Sequence, residues 1–183
     1  MGEKMEKKLL SKRDISINLF LLDNGNGVIE AIMSDIGHLI HLELGINSET
    51  KIIEKSKAEL VIGPFAICQV VEELAEGLVG LKIERGVMKK VSEILGGKKG
   101  CVHLRELAFN AINFAANALV GVGEGFSLIH PSFSRKDPEA RHLHSERLLK
   151  NSCFAYTYPY LEHKKILEEY KAKKGKNDEN FCE

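Results

Sequence analysis

The sequence predicts an α+β fold: a small antiparallel sheet of three to four strands packed against three helices, with a helical appendage at the C-terminus. Three observations point there. Apolar and polar residues alternate with period two from Arg13 to Val61. After Gly63 the period lengthens to nearly four, and the strand-like segments all precede the helix-like ones, unlike alternating βαβ units. The organisation expected is a flexible N-terminus over 1–12, an α+β domain over 13–125, a helical and aromatic extension packed on it over 126–174, and a frayed tail over 175–183.

The first strand covers Arg13–Leu22 and ends at Asp23-Asn24-Gly25-Asn26-Gly27, a strong hairpin signal. Val28–Ser34 is the second strand, broken by Asp35-Ile36-Gly37. In the third, His38–Ile46, His38 shares the apolar face of Ile40, Leu42 and Leu44. After the polar turn Asn47–Thr50, Lys51–Val61 carries Glu54, Lys55 and Lys57, charges that suit an exposed or edge strand. Pro64 opens a helix with Cys68, Val71, Ala75 and Leu78 inward, ending near Gly77 or Gly80. A second helix, Gly86–Leu95, stops at Gly96-Gly97, and a third runs from Cys101 to Val120 with a stripe of small residues at Ala108, Ala111, Ala115 and Ala118. Gly121–Gly125 reads as a helix stop, Pro138–Lys150 and Leu161–Lys174 as helices, and His142, His144 and His163 as solvated.

Composition narrows the function classes. Lys+Arg and Asp+Glu are 26 each, so no basic field recruits nucleic acid, and the absence of Trp argues against a base-stacking surface. No apolar run approaches the roughly 20 residues of a membrane span, and no apolar h-region follows the N-terminal lysines, so a signal peptide is not expected there. Four scattered cysteines without a C-x-x-C pair are not a disulfide framework, which suits a cytoplasmic protein.

The chemistry concentrates in Gly96–Leu119 and the residues that can meet it. Asp35, His38, Cys68, Cys101 and His103 are the candidate metal ligands, a mixed carboxylate, imidazole and thiolate set suited to zinc or iron. Cys101 opens its helix beside Lys98 and Lys99, a setting that favours a reactive thiolate and makes it better placed for chemistry than His103. On a regular helix His103 points about 200° away from Cys101, so both face one ligand only if the first turn is irregular. Each residue also has a structural reading: Cys68 and Cys101 as core, His38 as a hydrogen-bonded core histidine, Asp35 as a turn cap. The turn Gly97-Lys98-Lys99-Gly100 is a candidate anion-binding loop, because glycine-rich turns entering helices expose backbone N–H groups. No Ser-His-Asp or P-loop signature is complete.

Several segments together carry a family resemblance. S-D-x-x-H (Ser34–His38), P-x-x-x-C (Pro64–Cys68), L-V-G-L-K-I (Leu78–Ile83) and above all L-G-G-x-x-G-C-V-H-L-x-E-L (Leu95–Leu107) resemble the bacterial domain-of-unknown-function family 2889 over roughly residues 10–160. N-S-C-F-A-Y (Asn151–Tyr156) is similar to that family's C-terminal element. The resemblance implies positions rather than an activity. The layout is also similar to U-type iron–sulfur scaffolds (NifU) and SufE-like sulfur acceptors, with Asp35 and Cys101 at matching places and Met33 and Pro64 where scaffold cysteines would fall.

Two functions follow as expectations. One is a metal-binding or thiol-active domain, related to sulfur or iron–sulfur chemistry, using Cys101 with Asp35, His38 and Cys68. The other is a non-catalytic module binding an anionic small molecule or a protein partner, with structural cysteines. Separately, the Tyr-rich tail and its helices are a candidate homodimer interface.

Overall fold

The computed structural model describes residues 7–118, 139, 142, 143, 150, 151 and 153–179. The chain divides into two compact units, Met1–Gly125 and Phe126–Glu183. Four strands open the first unit: β1 (Arg13–Leu21), β2 (Gly27–Asp35), β3 (Leu39–Ile46) and β4 (Ile53–Ile62). They form one antiparallel meander in the order β1-β2-β3-β4.

Turn chemistry sets the register. Between β1 and β2, Gly25 takes a left-handed φ of 81° and the Asn24 side chain accepts from the Asn26 N–H at 3.0 Å. Between β3 and β4, Asn47 Oδ1 accepts from the Glu49 and Thr50 N–H groups, each at 3.0 Å. The register then stacks one apolar face across the sheet: Ile29 opposite Leu44, Ala31 opposite Leu42, Met33 opposite Ile40, and Ile40 opposite Leu60. All of these are buried. The opposite face carries the row Glu30, Glu43 and Lys57.

Two α-helices and a 3₁₀ segment cover the apolar face. The segment Ala66–Leu78 was expected as an α-helix but winds as a 3₁₀-helix of 13 residues, unusual for its length. Its inward residues explain the tighter winding: Cys68, Val71 and Leu74 recur every third position, before Ala75 and Leu78. Glu72 anchors it to the sheet by accepting from the Leu60 N–H at 2.6 Å. Helix α1 (Val87–Leu95) buries Val87, Val91 and Leu95. Helix α2 (Val102–Ala118) buries Leu104, Leu107, Ala108, Ala111, Ile112 and Ala115. Its alanines let it lie close over β2, flanked by β1 and β3.

In the second unit, a 3₁₀ turn at Ala155–Thr157 precedes α3 (Tyr160–Glu179), which continues through Gly175. His142 is not solvated as expected: it is 5% exposed, stacks on Tyr156 and bonds the Ala155 carbonyl through Nε2 at 3.0 Å. His163 Nε2 shares that carbonyl at 2.9 Å. The helix stop at Gly121–Gly125, His144, and most of the helix expected over 138–150 lie outside the described residues. Among the described residues no helix is long and apolar enough to cross a membrane.

Candidate metal centre

The inward stripes of β2 and β3 do not end at the last apolar residue. Asp35 continues the phase of Ile29, Ala31 and Met33, and His38 precedes Ile40, Leu42 and Leu44 in the same phase. Both therefore turn toward the core side at the rim of the sheet, with side chains 7% and 15% exposed. The loop between them is closed by the Asp35 N–H donating to the His38 carbonyl at 2.9 Å. Asp35 Oδ1 accepts from the Gly37 N–H at 2.9 Å, an Asx turn, while Ile36 is left exposed at the tip. The same oxygen is 3.0 Å from His38 Nδ1. An ionised carboxylate only accepts, so Nδ1 donates to it, and in the neutral imidazole the lone pair then lies on Nε2.

Arg13 secures the acid from the neighbouring strand. It stands opposite Asp35 in the β1–β2 register and donates to Oδ2 from Nε at 2.8 Å and Nη2 at 2.6 Å. Its Nη1 donates to Glu106 Oε2 on α2 at 2.8 Å, so one guanidinium joins sheet and helix. The Gly37 N–H first, then His38 and Arg13, hold the Asp35 carboxyl well below the usual carboxylate range.

The third member comes from α2. His103 shares a flank of the helix with Leu107 and Ala111, four and eight residues on, so packing those residues brings the imidazole over the β2–β3 hairpin. Its ring centroid lies 3.8 Å from that of His38, with the planes tilted by 39°. Burial, reinforced by the charge of Arg13 and opposed by Asp35 and Glu106, lowers the His103 pKa and favours its neutral form. Asp35, His38 and His103 each offer a donor atom, and these atoms lie within 4.8 Å of one another. Among the described residues no other group of three or more such side chains does so. Asp35, Glu106 and Arg13 together carry one net negative charge, which favours a cation.

The two cysteines expected at the site are not in that group. Cys101 precedes α2 and caps it: Sγ accepts from the Leu104 N–H at 3.5 Å and its carbonyl accepts from the Arg105 N–H at 3.0 Å. Cys68 and Cys101 both pack half-buried against the core. Of the two residues expected at the start of α2, His103 faces the hairpin, whereas Cys101, expected to be the better placed, lies before the helix with its sulfur on the Leu104 N–H. Arg13 and Glu106 escaped the sequence reading. Glu106 had a signal, lying three residues after His103 on one helix face, whereas Arg13 is found only through strand register.

The glycine turn has a structural explanation. Gly97 takes a left-handed φ of 71°, and a Cβ on Gly100 would collide with the Leu95 and Gly96 carbonyl oxygens. The Gly100 and Cys101 N–H groups donate to the Gly97 and Leu95 carbonyls at 3.2 and 2.9 Å. Lys98 and Lys99 are exposed.

The profile of the family described as protein of unknown function DUF2889 matches residues 11–117, well over half of the chain. The chain belongs to the DUF2889 family. Every member of the centre, together with Arg13 and Glu106, falls inside the matched span, while Asn151–Tyr156 lies beyond it. No curated protein and no solved structure matches this DUF2889 chain.

Proposed function

We propose that this DUF2889 protein is a metal-binding domain whose centre, at Asp35, His38 and His103, takes a divalent transition-metal ion such as zinc or iron. One observation carries the reading: a carboxylate and two imidazoles from β2, the β2–β3 hairpin and α2 bring donor atoms within 4.8 Å of one another. Three further features support it. His103 is biased toward its neutral form, His38 is held in one tautomer, and the surrounding charge is negative. Imidazole nitrogen suits zinc, iron, copper and nickel rather than magnesium or calcium. Iron–sulfur or sulfur-transfer chemistry would need thiolates at this place, and the structure gives Cys101 a capping role instead.

The test is metal content and binding in protein prepared without a histidine tag. Wild type and Cys101→Ser are expected to bind one equivalent of zinc, and His38→Ala and His103→Ala to lose it. A wild-type chain that neither retains metal nor changes its unfolding temperature with added zinc would contradict the reading.

A further inference from the structure

The acid in the centre has no acceptor position to spare. Asp35 Oδ1 receives the Gly37 N–H at 2.9 Å and His38 Nδ1 at 3.0 Å. Oδ2 receives Arg13 Nε at 2.8 Å and Nη2 at 2.6 Å. A carboxylate has about four lone-pair sites, and four N–H donors fill them. To coordinate a cation, Asp35 would have to give up either its two bonds from Arg13 or the bond that orients His38. The His38 ring faces no such choice, because Nδ1 is turned to the acid and Nε2 lies on the side of the ring away from it.

Resting on the metal-binding function proposed above, we infer that Asp35 is a positioning residue behind His38 and that the cation is held by two imidazoles. Its remaining coordination positions are filled from solution by water or a small oxyanion. This is the arrangement in which a carboxylate fixes the tautomer and raises the basicity of a ligating histidine. Charge points to the same class of exogenous ligand. Asp35, Glu106 and Arg13 sum to one negative charge, a dication turns the total positive by one, and a single monoanion such as a carboxylate restores neutrality. A surface depression of about 470 Å³, lined by Ser11, Arg13, Asp35, Ile36, Gly37 and His38, adjoins the hairpin and has room for one.

Co²⁺ serves as the spectroscopic probe on the full chain. In Asp35→Asn the amide oxygen still accepts from His38 Nδ1–H, so Co²⁺ affinity is expected to fall about 10–100-fold with the visible bands unmoved. Acetate titrated into Co²⁺-loaded wild type should shift those bands. In Zn²⁺-loaded wild type, long-range ¹H–¹⁵N correlation should show His38 protonated at Nδ1 and metallated at Nε2, a readout independent of how any variant folds. Band positions altered by Asp35→Asn, metallation at His38 Nδ1, or no response to acetate would each overturn the assignment while leaving metal binding intact. A wild-type chain that binds no Co²⁺ or Zn²⁺ would overturn the metal reading and this assignment together.

Discussion

His103 and Asp35 respond to pH in separate windows, and the signs follow from what surrounds them. Burial and neighbouring positive charge lower the His103 pKa, so the unfolded chain binds this proton more readily than the folded one. Its contribution to stability is complete above the ordinary value of 6.5 and is lost as pH falls through the lower folded-state value. Asp35 is also lowered, so its contribution holds above 3.8 and is lost only on further acidification. Melting temperatures of chelator-treated protein from about pH 8 to about pH 5 should therefore decline more in wild type than in His103→Gln. Equal slopes would show that His103 is not the group responsible. On the proposed function, bound metal would add to the trend, because protons compete for the same imidazole nitrogens.

At the scale of elements, the start of α2 separates capping from thiol chemistry. Cys101 Sγ accepts the Leu104 N–H, a role a serine hydroxyl fills at least as well. Cys101→Ser should keep wild-type stability in urea denaturation, and Cys101→Ala should lose about 0.5–2 kcal/mol. Instability of both variants to the same extent would mean that packing of the sulfur, not its hydrogen bond, matters. The preceding turn gives a second contrast. Gly97→Ala, at a φ of 71°, should cost about 1–2 kcal/mol, whereas Gly97→Asn should cost less because Asn tolerates this conformation. Legibility in the sequence differed between elements for physical reasons. The strands were readable because Ile29, Ala31 and Met33, and then Ile40, Leu42 and Leu44, alternate without interruption. The 3₁₀ winding of Ala66–Leu78 was not, since Cys68, Val71, Ala75 and Leu78 suit a period near 3.6 while Cys68, Val71 and Leu74 suit a period of three. Asp35, His38 and His103 were each readable as candidates. Their meeting depends on how α2 is rotated over the sheet, which Leu107 and Ala111 settle only once the helix packs.

At the scale of the whole first unit, the centre is a clasp between parts of the chain distant in sequence, and the core beneath it sets its precision. Leu107 lies on the His103 flank of α2 and is fully buried. Leu44 is equally buried but lies six residues along β3 from His38, roughly 20 Å at strand rise. Either leucine replaced by alanine should cost about 2–5 kcal/mol, because each leaves a cavity in the same close-packed layer. Their effects on metal affinity should differ. Leu107→Ala loosens the seat of α2 where His103 is held over the hairpin, so stability and affinity should fall together. Leu44→Ala should lower stability alone, with zinc affinity unchanged at a temperature where the variant is fully folded. The reciprocal effect is the gain in stability on saturation, about 2.7 kcal/mol for free zinc at 100 times Kd. That gain should be preserved in Leu44→Ala and reduced in Leu107→Ala when zinc is fixed at the concentration used for wild type. Calorimetric unfolding with and without zinc, paired with titration of each variant, checks both. Equal affinity losses in the two variants would mean that the centre senses overall rigidity and not the local packing of α2 on the hairpin.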